Sequence, residues 1–142
     1  MADEPALVFD PLPSGDLAKF VEDNVVGHVM ARTGVSEWHP VGFFLRSARG
    51  EWVGGCLGHI WGGWLHVKWL WVSEPLRGRG CGGRLMDAAE DFARERGASG
   101  ATLETFDFQA PGFYRARGYE AFGQLADYPP GHTKFYMRKR LG

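Results

Sequence analysis

The run Arg77-Gly78-Arg79-Gly80-Cys81-Gly82-Gly83 is the segment most plainly shaped for chemistry. It follows an apolar stretch ending at Val72 and the step Ser73-Glu74-Pro75-Leu76, and a stretch of helical period comes after it. The first turn of a helix has unpaired N–H groups and the positive end of the helix dipole. Glycines in front of it let an anion approach the backbone closely, so such a turn binds phosphate. Arg77 and Arg79 add positive charge at the rim. Spacing narrows the ligand. Gly78, Gly80, Gly82 and Gly83 give G-x-G-x-G-G, not the G-x-G-x-x-G of dinucleotide folds, and no Gly-Lys-Ser/Thr follows for a nucleotide P-loop. Taken alone, the run suits either a ligand cradle or a tight turn that simply needs glycine.

The elements around the run must hold it in place. Ala6–Phe9 reads as a short first strand, and Pro13-Ser14-Gly15-Asp16 as a helix start. Leu17, Phe20, Val21, Val25 and His28 recur at helical spacing, which predicts a helix over 14–30. Residues 41–47, 51–60 and 65–72 read as three strands in an antiparallel meander, with turns near Arg49-Gly50 and Gly62-Gly63. The third is apolar at most positions, as expected of a strand buried on both faces. Over 82–96, Leu85, Met86, Ala89, Phe92 and Ala93 form a helical stripe, with Asp87, Glu90 and Asp91 on the polar side and Gly97 as the stop. A strand over 101–106, a short helix opened by Pro111, and strands over 119–125 and 133–141 complete the chain. The expected fold is α/β, with a mixed, mostly antiparallel central sheet flanked by helices in a single domain spanning 1–142.

Composition excludes several classes. With 44% hydrophobic and 23% charged residues, the 142-residue chain can build an ordinary core. Two cysteines, Cys56 and Cys81, are too few for a disulfide framework and form no CxxC pair, so a reducing, cytoplasmic setting without metal is expected. The acidic start Met1-Ala2-Asp3-Glu4-Pro5 leads into no long apolar run, so no signal peptide or membrane segment is expected. A net charge of −1 gives no argument for nucleic acid. The tryptophans, grouped over 52–71, suit either pocket walls or hairpin packing.

Arg77-x-x-Gly80-x-Gly82 resembles the Arg/Gln-x-x-Gly-x-Gly/Ala signature of the GNAT superfamily of N-acetyltransferases. Its flanks are similar too, from Leu70-Trp71-Val72 through Pro75 to Gly78, and again at Ala110, Phe113-Tyr114 and Gly118-Tyr119. The resemblance covers the chain from about Trp52 onward. The run from Leu103 to Tyr114 and the Pro-Pro-Gly-His loop are similar to a small-protein bacterial branch of that family.

The resemblance implies acetyl-CoA as donor, a primary amine of a small molecule as acceptor, and direct attack in a ternary complex. A non-catalytic acyl-CoA sensor or an interaction domain is the alternative. The resemblance puts the pyrophosphate on amides from Gly78 to Gly83, Cys81 included. It lays the pantetheine along the backbone of Leu70, Trp71 and Val72, whose Val72 amide polarises the thioester carbonyl. Tyr114 matches the family tyrosine near the sulfur and is cast as general acid; a core aromatic is its other reading. The family's usual glutamate base corresponds to His66, an imidazole suited to proton transfer near neutrality. Glu104 is the rival base, with His132 and Asp127 behind it. Cys81, where the family has an aliphatic residue, is read as packing, although a thiol at a helix N-terminus could carry an acyl group. Asp107 replaces a family asparagine that contacts the coenzyme, and a carboxylate does not suit a phosphate there. A homodimer is implied by family habit alone.

Overall fold

The computed structural model describes residues 4–142, so Met1–Asp3 of the acidic start lie outside the described residues. The chain divides into two compact units, Met1–Ser36 and Glu37–Gly142. In the first, residues 4–10 form no strand, which corrects the strand expected over Ala6–Phe9; Leu7, Val8 and Phe9 are exposed and lack a strand partner. Helix α1 spans Gly15–Thr33, with Ser14 Oγ accepting the Leu17 amide as N-cap. None of its residues is buried, and Leu17, Phe20, Val21 and Val25 lie exposed.

The second unit contains β1 (Trp38–Arg46), β2 (Trp52–Trp61), β3 (Trp64–Val72), α2 (Cys81–Glu95), β4 (Gly100–Phe106), α3 (Pro111–Ala116), β5 (Glu120–Ala126) and β6 (Thr133–Arg140). Its six-stranded sheet has the order β1-β2-β3-β4-β6-β5. The first three strands form the expected meander, and β4 pairs with β6 antiparallel. Only β3 and β4 run parallel, because α2 supplies the crossover between them.

One face of α2 makes the core. Leu85, Met86, Ala89 and Ala93 pack toward Val41, Cys56, Leu65, Val67, Leu103 and Met137. The alanines let the helix approach the sheet closely. Glu90 departs from expectation: it is buried at 1% exposure rather than on a solvated helix face. Lys139 Nζ donates to one of its oxygens at 2.6 Å and the Tyr119 hydroxyl to the other at 3.0 Å, with Arg117 and Arg94 nearby. A buried carboxylate persists only when paired and hydrogen-bonded in this way. The cluster ties together α2, the C-terminal side of α3 and β6. Burial, then the Glu90 charge, raises the Tyr119 phenol well above its ordinary pKa.

The expectation for β3 also needs correction. It is buried on one face only: Leu65 and Val67 are inside, whereas Trp69 is 70% exposed and Trp71 is 55% exposed.

Candidate active site

The site grows from one irregularity. Along β2 and β3 the register puts Gly58 opposite Val67 and Leu57 opposite Trp69, so Lys68 is an extra residue, a β-bulge. Gly58 is what admits it. A Cβ on Gly58 would lie 2.1 Å from the His66 carbonyl oxygen, so only glycine allows the bulged backbone through. Bending turns β3 away from β4. Their parallel pairing covers Trp64–Val67 against Gly100–Leu103 and then stops. Meanwhile β3 stays paired to β2 as far as Val72, and β4 to β6 as far as Phe106.

The result is a wedge-shaped gap with an unpaired strand edge. The Ser73 amide donates to Val53 of β2 at 2.8 Å, so strand alternation turns the N–H and C=O groups of Leu70 and Val72 away from β2, into the gap. Arg77 Nε donates to the Val72 carbonyl at 3.0 Å, which fastens the glycine-rich turn to the end of β3. At the head of α2, Gly80 is the N-cap at φ 82°, a left-handed conformation that favours glycine. Leading amides of α2 therefore remain free, since the first helical bond beyond the cap comes from Arg84 to Gly80.

Gap and turn open into one cleft of about 1000 Å³. Leu70, Trp71, Val72, Arg77, Gly78, Gly80, Gly82 and Gly83 line it, together with His66, Glu104 and Tyr114. Arg79 and Cys81 are not part of its wall.

Two residues read as rival bases prove to be partners. His66 Nε2 lies 2.9 Å from Glu104 Oε2, linking β3 and β4 just where they diverge. Tyr114, on α3, is largely buried against Phe113 and Tyr119. Burial, with a smaller contribution from Cys56, pushes its phenol up to about 12. The other base candidates are spoken for. His132 Nδ1 sits 3.0 Å from Asp107 Oδ1, and the Thr133 amide donates to Asp107 Oδ2. Asp107 thus closes the loop before β6, which is why a carboxylate stands there. Asp127 Oδ1 accepts the Gly131 amide in the same loop.

Sequence reasoning missed three contributors. His59, opposite His66 on β2, stacks on Trp38 (5.3 Å, 19°) and meets the His66 ring edge-on (5.3 Å, 87°). Its buried Nδ1 has no hydrogen-bond partner among the described residues. Burial first, then His66 and Lys68, lowers its pKa. Gln109 Oε1 accepts the Phe106 amide and the Thr105 hydroxyl, ending β4 beside the cleft. Lys134 of β6 lines the cleft as well. Strand alternation could have put His59 and His66 on one face, but their pairing needed the register.

The profile of the Acetyltransferase (GNAT) family matches residues 27–119. The chain belongs to the GNAT family. It is therefore an N-acetyltransferase, and acetyl-CoA is the donor that GNAT acetyltransferases use. It is 46% identical over 116 residues to blasticidin-S acetyltransferase of Streptomyces morookaense, covering 79% of this chain and 85% of that protein. The crystal structure of an acetyltransferase from Agrobacterium tumefaciens superposes with a TM-score of 0.90 at 30% identity, covering 96% of this chain and 99% of the other. A streptothricin acetyltransferase from Bacillus anthracis, solved in complex with acetyl coenzyme A, shares the fold at 19% identity. Its TM-score is 0.65, over 72% of this chain and 62% of that one. No described helix of this GNAT chain is long and apolar enough to cross a membrane.

Proposed function

We propose that this GNAT enzyme acetylates a primary amine of a small antibiotic-type molecule by direct attack in a ternary complex, with His66 and Glu104 as a paired base and Tyr114 as the acid. The observation that carries the reading is the 2.9 Å contact between His66 and Glu104 in the same cleft as the phenol of Tyr114.

Each residue has a role that follows from its chemistry. The free amides of the Gly78–Gly83 turn and the head of α2 suit a pyrophosphate, because several N–H groups and the helix dipole converge there. The open edge at Leu70 and Val72 suits the amide-bearing pantetheine arm, which would pair with it like a short strand. The Val72 N–H, turned into the gap, would donate to the thioester oxygen as negative charge builds on it. A donor of this kind is typically worth ~10²–10³ in rate. A neutral amine must attack, so a proton has to leave the incoming ammonium. His66 can take it, and the Glu104 carboxylate at Nε2 orients the ring. At pH 7, a phenol pushed up to about 12 stays protonated and can donate to the departing thiolate. The Cys81 thiol, outside the cleft wall, has no part in this scheme.

The blasticidin-S relative motivates the first acceptor to test. Thiol release from acetyl-CoA should be followed across a panel of amines, with blasticidin S included, for wild type, His66→Ala and Tyr114→Phe. The expected outcome is turnover of at least one amine and a drop of ~10²-fold or more in kcat for each variant, in the range usual for acid–base groups. Unchanged turnover in both variants would remove the assigned base and acid.

A further inference from the structure

Lys134 is a charge without an answer. Two other cations of β6 are paired: Arg138 with Glu120 and Lys139 with Glu90. Lys134 has no carboxylate within 4 Å among the described residues; its Nζ rests 5.2 Å from the Tyr128 ring and 5.1 Å from the Tyr136 ring. Aromatic faces hold an ammonium in place yet leave its N–H donors unused. Two acidic side chains around the adjoining loop are committed, Asp107 to His132 and Thr133, and Asp127 to Gly131.

The position of Lys134 says what it faces. On β4 and β6, Glu104 is opposite Tyr136 and Phe106 is opposite Lys134. Ala101, Leu103 and Thr105 of β4 and Met137 of β6 are buried, on the face that packs against α2. By alternation Glu104, Phe106, Lys134 and Tyr136 therefore share the other face of the sheet. His66 belongs to that face too, since it contacts Glu104. The lysine is a diagonal neighbour of Glu104, about 7–8 Å away across the strands. The cleft thus offers a carboxylate with an imidazole and, one diagonal step on, a free ammonium.

We propose that the amine acceptor is zwitterionic, with a carboxylate held by Lys134 while its amine is held at Glu104 and His66. This rests on the acceptor site of the proposed function. A carboxylate fits better than a phosphate: Lys134 presents a single point charge, and the Arg138 guanidinium further along the same face of β6 is already paired with Glu120. The donor's phosphates have their own cradle at the head of α2.

The test uses four amines: 6-aminohexanoate, L-lysine, L-lysine methyl ester and 1,5-diaminopentane. Each is assayed for thiol release and as a competitor of any acceptor turned over, with wild type, Lys134→Met, Lys134→Arg and Lys134→Glu. The expected result is that carboxylate-bearing probes act or compete about 10-fold or more better than the ester and the diamine in wild type. The preference should persist in Lys134→Arg, vanish in Lys134→Met and turn toward the diamine in Lys134→Glu, with the KM for acetyl-CoA unchanged. Equal use of probes with and without a carboxylate would overturn the inference and leave the amine reading intact. A raised acetyl-CoA KM in Lys134→Met would also overturn it, by moving the lysine to the donor. No thiol release with any amine, blasticidin S included, would sink both readings.

Discussion

The two halves of β3 obey different rules. From Trp64 to Val67 the strand is hydrogen-bonded on both sides and sends Leu65 and Val67 into the core. From Lys68 to Val72 it is paired on one side only, and its tryptophans face outward. The first half packs Leu65 and Val67 into the core and carries His66 on its other face. The second leaves backbone groups of Leu70 and Val72 unpaired, while the side chains of these two residues still pack against the core. One extra residue separates the two regimes.

Removing the bulge's support should give the largest effect. Gly58→Val puts side-chain carbon where the His66 carbonyl oxygen runs. It is expected to cost ~3 kcal/mol or more by overpacking and strain, and to abolish measurable turnover. Urea denaturation and thiol release on the same sample check this. If the variant folded and turned over normally, the bulge would not organise the site.

Within the closed half, Leu65→Ala is expected to lose ~2–5 kcal/mol of stability, because Leu65 is fully buried. Its kcat per folded molecule should be preserved. In the open half, Trp69→Ala should cost under ~0.5 kcal/mol, as exposed positions do. A change in acceptor KM with an unchanged melting temperature would sharpen the contrast; a large loss of stability would break it.

An alkaline titration is a gentler probe of the same cleft. The Tyr114 phenol ionises near 10 in an unfolded chain and near 12 in the fold. Between those values the folded state holds the extra proton, so stability falls as pH rises, by at most ~1.4 kcal/mol per unit from this group. Below pH 10 the contribution is constant. Tyr114→Phe should flatten the decline by that share, as read by thermal melts between pH 9 and 12.

Much of this was legible in the chain. The glycine run sits where expected, because φ-permissive residues before a helical stripe have few alternatives. The meander and the α2 stripe followed from periodicity. Other features escaped for physical reasons. A run such as Trp69-Leu70-Trp71-Val72 looks buried by composition, yet alternation exposes every second residue. Glu90 looked solvated because its partners, Lys139 and Tyr119, are far away in sequence. The pairing of His66 with Glu104 needed a parallel register that no local pattern encodes. Ala6–Phe9 has strand-like residues but no strand partner, and an isolated apolar run cannot form a ladder alone.

The open edge of β3 has one further consequence. Bare strand edges invite foreign chains to add on, and proteins usually blunt them with charge, cover or brevity. This edge uses all three. It is only a few residues long, it is recessed against β4 inside the cleft, and the Arg77 guanidinium caps its last carbonyl. A slender, flexible arm can reach it, whereas an intruding polypeptide strand would meet a cation and a wall. The same recess that leaves these backbone groups unpaired makes the edge a poor template for strand addition.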